Sequence, residues 1–70
     1  MTDMERVWAR IKKTADELAA RNQFVSPATA KNIVADIFRT QHADRPTVEA
    51  LEFLSSELIA LLNEKRQKVG

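Results

Sequence analysis

The chain has no cysteine, one glycine and two prolines among its 70 residues. Without cysteine, neither a disulfide nor a thiolate metal site can stabilise the fold, which excludes a disulfide-stapled secreted scaffold. The scarcity of glycine and proline leaves little room for flexible linkers or disordered segments. A chain of this length forms one domain at most, here residues 1–70. So small a domain is only marginally stable alone. Because disulfides and thiolate metal sites are excluded, good helix packing and oligomerisation are the features that can stabilise it.

The sequence also lacks a charge excess and long apolar runs. Eleven lysines and arginines against ten acidic residues leave a net charge of +1, far from the basic excess of a dedicated nucleic-acid binder. No apolar run approaches the ~18 residues of a membrane span, and the charged N-terminus lacks a secretory apolar core. We therefore expect a soluble, cytoplasmic protein without a membrane partner.

Three segments carry the spacing of amphipathic helices, over about residues 3–22, 27–41 and 46–68. Thr2 and Glu5 fit a capping box at the start of the first helix. Ser26 and Pro27 are favoured as the N-cap and first residue of the second. Pro46 marks the start of the third, which Asp44 or Thr47 can cap. Since short connections favour antiparallel neighbours, the sequence predicts an all-α, up-down-up bundle of three helices.

The third helix has the widest apolar face. Leu54 and Leu58 are at its centre, and Val48 and Ile59 extend it on one side, so that it covers about half of the circumference. This helix also overhangs the second by about two turns, which in a monomer would leave Leu61 and Leu62 partly bare. Phe53 lies outside the face, among polar residues. These features predict a homodimer, or a heterologous protein partner. The predicted partner-binding residues are Phe53, Ile59, Leu61 and Leu62.

Residues able to carry catalysis are few. His42, the only histidine, lies in a polar connection and is expected to face solvent. The glutamates of the third helix are expected to face solvent. The sequence also lacks the Glu-x-x-His element that a metal site in a helical bundle uses. We therefore predict no catalytic residue, no cofactor and no metal. Trp8 is expected in the core or at its rim. The basic tail, Lys65, Arg66 and Lys68, is expected to complement the helix dipole.

Residues 16–33 resemble a bacterial helix-turn-helix. The matching positions are Ala20, Val25, Ser26, Thr29, Ala30 and Ile33. The resemblance implies a DNA-binding regulator whose second helix shows Thr29, Lys31 and Asn32 to the major groove. Phe24 stands where the turn usually has glycine, and a buried Ala20 would lie opposite the apolar stripe of the first helix. DNA binding is therefore the alternative function.

Residues 58–70 are similar to the first helix of the small all-helical chorismate mutases. In that family further helices carry the substrate-binding residues, whereas this sequence stops at Gly70, so we expect no enzyme activity. The main expectation is a small helical protein-protein interaction module. Such a module would be an adaptor, an inhibitor or a regulatory subunit, and would bind through the apolar face of the third helix.

Overall fold

The computed structural model describes residues 2–69, with side chains described as far as Lys65. It contains three α-helices, α1 (Asp3–Ala20), α2 (Pro27–Thr40) and α3 (Val48–Val69), and no strand within residues 2–69. The predicted all-α architecture is confirmed.

Side-chain caps define the first residues of α1 and α2. The Glu5 amide donates to the Thr2 hydroxyl and the Thr29 amide donates to the Ser26 hydroxyl, both at 3.2 Å. Pro27 occupies the first turn of α2, where its missing amide costs no hydrogen bond. The Glu5 carboxylate accepts a hydrogen bond from the Thr2 hydroxyl (3.2 Å), whereas the capping box predicted one from the Thr2 amide.

The start of α3 lies two residues later than predicted. Its first helical residue is Val48, because the Thr47 hydroxyl accepts from the Ala50 amide at 3.0 Å. Of the two predicted caps, Asp44 and Thr47, the threonine therefore performs this role.

The end of α1 also lies two residues earlier than predicted. Asn22 adopts the left-handed conformation, with φ of 55°. Its amide donates to the Ala19 carbonyl and the Gln23 amide donates to the Leu18 carbonyl, both at 3.0 Å. These two bonds form a Schellman motif, which satisfies carbonyls that the end of a helix leaves without partners.

The end of α2 repeats this motif. His42 has φ of 55°, and its amide donates to the Arg39 carbonyl at 3.2 Å. The Ala43 amide donates to the Phe38 carbonyl at 3.0 Å. His42 is exposed, as predicted, and it is the residue at which the chain turns out of α2.

Contacts between helix ends establish the order of the bundle. Asp16 of α1 and Lys65 of α3 form an ion pair, so the C-terminal part of α1 runs beside the second half of α3. The Arg6 guanidinium donates to the Gln41 carbonyl at 3.4 Å, which brings the end of α2 to the start of α1. The helices α1 and α3 thus run parallel and α2 runs opposite to them, in the predicted up-down-up order.

The core is formed by one face of each helix, and α3 packs against both other helices. Its members are Val7, Ile11, Ala15, Ala30, Val34, Ile37, Phe38, Leu54, Leu58 and Leu62. The predicted exposure of Leu62 is wrong, because this side chain is only 4% exposed. The reason is that α1, with 18 residues against 14 in α2, reaches far enough along α3 to cover the overhang.

Further predictions for α3 concern Val48 at its start and the basic residues at its end. Val48, expected to extend the apolar face, is exposed at the first turn. Lys65 pairs with Asp16 of α1. The side chains of Arg66 and Lys68 lie outside the described residues.

Candidate protein-binding surface

An apolar groove lies between the N-terminal halves of α1 and α3. It has a volume of about 240 Å³ and is lined by Met4, Trp8, Phe53, Leu54 and Glu57. Four of these five side chains are apolar, so the lining attracts apolar groups more than it attracts ions or water. We call this feature the α1–α3 groove.

The groove combines exposed walls with a fixed floor. Phe53 is 62% exposed and Met4 is 49% exposed, whereas Leu54 is buried in the core. Successive residues of a helix point about 100° apart, so the burial of Leu54 turns Phe53 away from the core. The monomer therefore cannot bury Phe53 without exposing Leu54. Trp8 is half-buried, which fits the rim position that the sequence left open for it.

The four residues predicted to bind a partner are not brought together. Phe53 lines the groove, but Ile59 is half-buried about 120° around the helix from it, on the side of α3 that faces α2. Leu61 is half-buried and packs against the core. Leu62 is buried and offers a partner no surface. Only Phe53 keeps most of its side chain accessible.

Two residues of the groove, Met4 and Trp8, were not among the predicted partner-binding residues. Both belong to the apolar stripe of α1, where a spacing of four places them on one side. The spacing of that stripe predicts that the stripe is buried against another helix. It does not predict which edge of the stripe stays exposed to solvent. The choice depends on how α1 sits against α3.

Charged side chains border the groove unevenly. On α3, Glu49 is exposed one turn before Phe53, and Glu57 is half-buried in the groove lining. On α1, Glu5 and Lys12 are exposed and about 20° apart, so this rim carries both signs. The α3 rim is thus acidic, and the α1 rim is mixed.

Two further clefts flank the connection between α2 and α3. Their volumes are about 330 and 320 Å³, and Phe38, Ala43, Arg45 and Pro46 line both. The second also includes Met4, and so it borders the α1–α3 groove. The clefts surround the turn at which α2 ends.

The residues of the helix-turn-helix resemblance have other contacts. The Thr29 amide donates to the Ser26 hydroxyl, which caps α2. The Lys31 amine lies 3.9 Å from the Glu52 carboxylate of α3, and Asn32 is exposed. Ala20, a buried position in the DNA-binding pattern, is exposed, as the stripe of the first helix predicts. DNA binding stays a prediction that these placements do not favour.

The described residues hold no cluster suited to metal chemistry. Within residues 2–69, no three histidine, cysteine or acidic side chains converge as a metal site would require. In the same part of the chain, no helix combines the length and apolar character needed to cross a membrane. Ser55, the one buried polar side chain among those described, donates to the Glu52 carbonyl at 2.9 Å.

Comparison of the chain with family models, with curated proteins and with solved structures finds no match. Its function is therefore inferred from its own surface, where the α1–α3 groove brings the exposed Phe53 beside Met4 and Trp8.

Proposed function

We propose that this protein is a small helical protein-protein interaction module, acting in the cytoplasm as an adaptor, inhibitor or regulatory subunit. It binds an α-helix of its partner in the α1–α3 groove, beside the apolar face of α3. The observation that carries this proposal is the exposure of Phe53 next to Met4 and Trp8, over a buried floor.

The physical basis is the burial of apolar surface. Removing apolar side chains from water is favourable by about 25 cal/mol per Å², and aromatic residues are enriched among those that dominate binding energy. Leu54 belongs to the core, so the groove floor is held in place before a partner arrives. A preformed floor reduces the ordering cost of binding.

The shape of the site favours a helix as the bound element. The groove runs between two parallel helices, α1 and α3, which offer a third helix two rows of side chains to pack against. Helix-in-groove binding uses apolar anchors at spacings of three and four residues. An extended strand would find no open sheet edge here, since residues 2–69 contain no strand.

The exchange of Phe53 for alanine tests the proposal. A partner captured from the cells that make the protein is identified by mass spectrometry, purified and titrated calorimetrically with each variant. We expect Phe53→Ala to weaken binding by about 2 kcal/mol, or about 30-fold. The matched control is Phe24→Ala, the same exchange at another exposed phenylalanine, in the connection between α1 and α2.

Equal affinity of the wild type and Phe53→Ala for the purified partner contradicts the proposal. An equal loss in Phe24→Ala also contradicts it, because the effect would then not belong to the groove.

A further inference from the structure

Among the described side chains of α3, those that flank Phe53 on the groove wall carry negative charge. Four glutamates of α3 precede Lys65, its first basic residue. Glu52 turns towards Lys31 of α2, and Lys65 pairs with Asp16 of α1. Glu49 and Glu57 lie one turn before and one turn after Phe53, within about 40° of it around the helix. The exposed apolar anchor is therefore embedded in an acidic surface.

This acidic surface covers about two helical turns. The distance from Glu49 to Glu57 is eight residues, which corresponds to about 12 Å. The protein as a whole carries a net charge of +1. The negative charge of this face is thus a local arrangement and does not follow from composition.

The opposite wall does not cancel the charge. Glu5 and Lys12 on α1 contribute one charge of each sign beside the groove. A helix lying in the groove would meet two glutamates, Glu49 and Glu57, on one side and a mixed pair on the other. A partner with lysines or arginines along its edges would gain at these positions, whereas one with acidic edges would be repelled.

We infer that the groove binds a basic amphipathic helix, with apolar side chains against Phe53, Met4 and Trp8 and with lysine or arginine beside the α3 glutamates. This inference rests on the proposed function and specifies its partner class. The acidic rim selects the partner by charge, while the apolar anchor supplies most of the affinity.

The same charges disfavour a second copy of the chain as the occupant. In a two-fold dimer a surface meets its own copy, so contact between the two Phe53 side chains would bring the Glu49 and Glu57 rims together. Like charges facing each other across an interface are unfavourable.

Trp8 provides a direct measurement of groove occupancy. It is the only tryptophan in the chain, which has no tyrosine, and it lines the groove. The probe is a synthetic helix of leucine and lysine, about 16 residues long, with leucines at spacings of three and four. We expect saturable binding with a blue shift of Trp8 emission. A counterpart with glutamate at every lysine position should bind about 25-fold more weakly at low salt, because an attraction worth about fivefold is replaced by a repulsion of similar size.

A charge-matched pair of double variants isolates the rim. Glu49→Gln with Glu57→Gln should weaken binding of the lysine peptide about fivefold at low salt, given 0.2–1 kcal/mol for each exposed pair. The control, Glu17→Gln with Asp36→Asn, removes the same charge from other exposed positions on α1 and α2 and should change affinity less than twofold. Raising the ionic strength should reduce the difference between them.

Each failure has a distinct signature. Equal binding of the lysine and glutamate peptides, with both weakened by Phe53→Ala, overturns the charge inference and leaves the proposed groove intact. Binding that leaves Trp8 emission unchanged and is insensitive to Phe53→Ala overturns both. A dimer of the chain alone that Phe53→Ala dissociates makes a second copy the occupant, and so overturns the inference.

Discussion

At the scale of single residues, position on the helix decides the role of each apolar side chain in α3. Phe53 and Leu54 are adjacent in sequence, yet Phe53 is mostly exposed and Leu54 is buried. Leu61 and Leu62 also differ in burial, because Leu61 is half-buried and Leu62 is buried. Hydrophobicity alone does not separate these pairs. The direction in which each side chain leaves the helix does.

The exchange of Leu62 for alanine tests this difference. We expect Leu62→Ala to lower the free energy of unfolding by about 2–5 kcal/mol, because it removes methyl groups from the core and leaves a cavity. Phe53→Ala should change stability by about 0.5 kcal/mol or less, as is usual for exposed positions. Urea denaturation followed by circular dichroism measures both. Similar losses in the two variants would contradict the burial described for Leu62.

At the scale of elements, caps formed by local hydrogen bonds set both ends of α1 and α2. Their N-termini use Thr2 and Ser26, residues whose preference for this position is visible in the sequence. Their C-termini turn at Asn22 and His42 in the left-handed conformation, which glycine adopts most readily. The usual sequence signal for the end of a helix was therefore missing. This is why the end of α1 was predicted two residues too late.

Glycine at these positions should stabilise the fold. A side chain other than glycine in the left-handed region costs about 1–2 kcal/mol, and less for asparagine. We expect His42→Gly to raise the free energy of unfolding by about 1 kcal/mol, after allowance for the added freedom of the unfolded chain. Asn22→Gly should have a smaller effect. Chemical denaturation measures each change.

The control for this prediction lies in the same connection. Asp44 is exposed and is not among the described residues with positive φ, so Asp44→Gly gains nothing in the folded state and should be neutral or destabilising. A loss of stability in His42→Gly as large as in Asp44→Gly would show that the left-handed turn carries no strain.

At the scale of the whole molecule, α3 holds the other two helices together. It packs against α1 and α2, and the contacts Asp16–Lys65 and Lys31–Glu52 link it to each of them. Exposed ion pairs contribute little energy, so the apolar core provides the cohesion. The same packing places Met4 and Trp8 of α1 beside Phe53, and so forms the groove from two helices.

The oligomeric state belongs to this scale. The sequence predicts a homodimer, and sedimentation equilibrium of the purified chain at several loading concentrations measures it. A dimer that persists in Phe53→Ala uses a surface outside the groove, which stays open for a helix. The control is again Phe24→Ala. The mass of a single chain at every concentration contradicts the dimer prediction.

The sequence by itself determined the number of helices, their limits to within two residues and the face that each turns inward. These properties depend on residues three or four positions apart and on caps such as Ser26 and Thr47, and local physics is sufficient to predict them. It also identified Phe53 as an apolar residue outside the packing face of α3.

Only the tertiary structure decided which apolar residues stay open. Leu62 is buried because α1 extends far enough along α3 to cover it. Met4 and Trp8 lie beside Phe53 because of the register between the same two helices. That register results from packing between residues about fifty positions apart in the sequence. Helical periodicity fixes the face of each helix, but it contains no information about the alignment of one face against another.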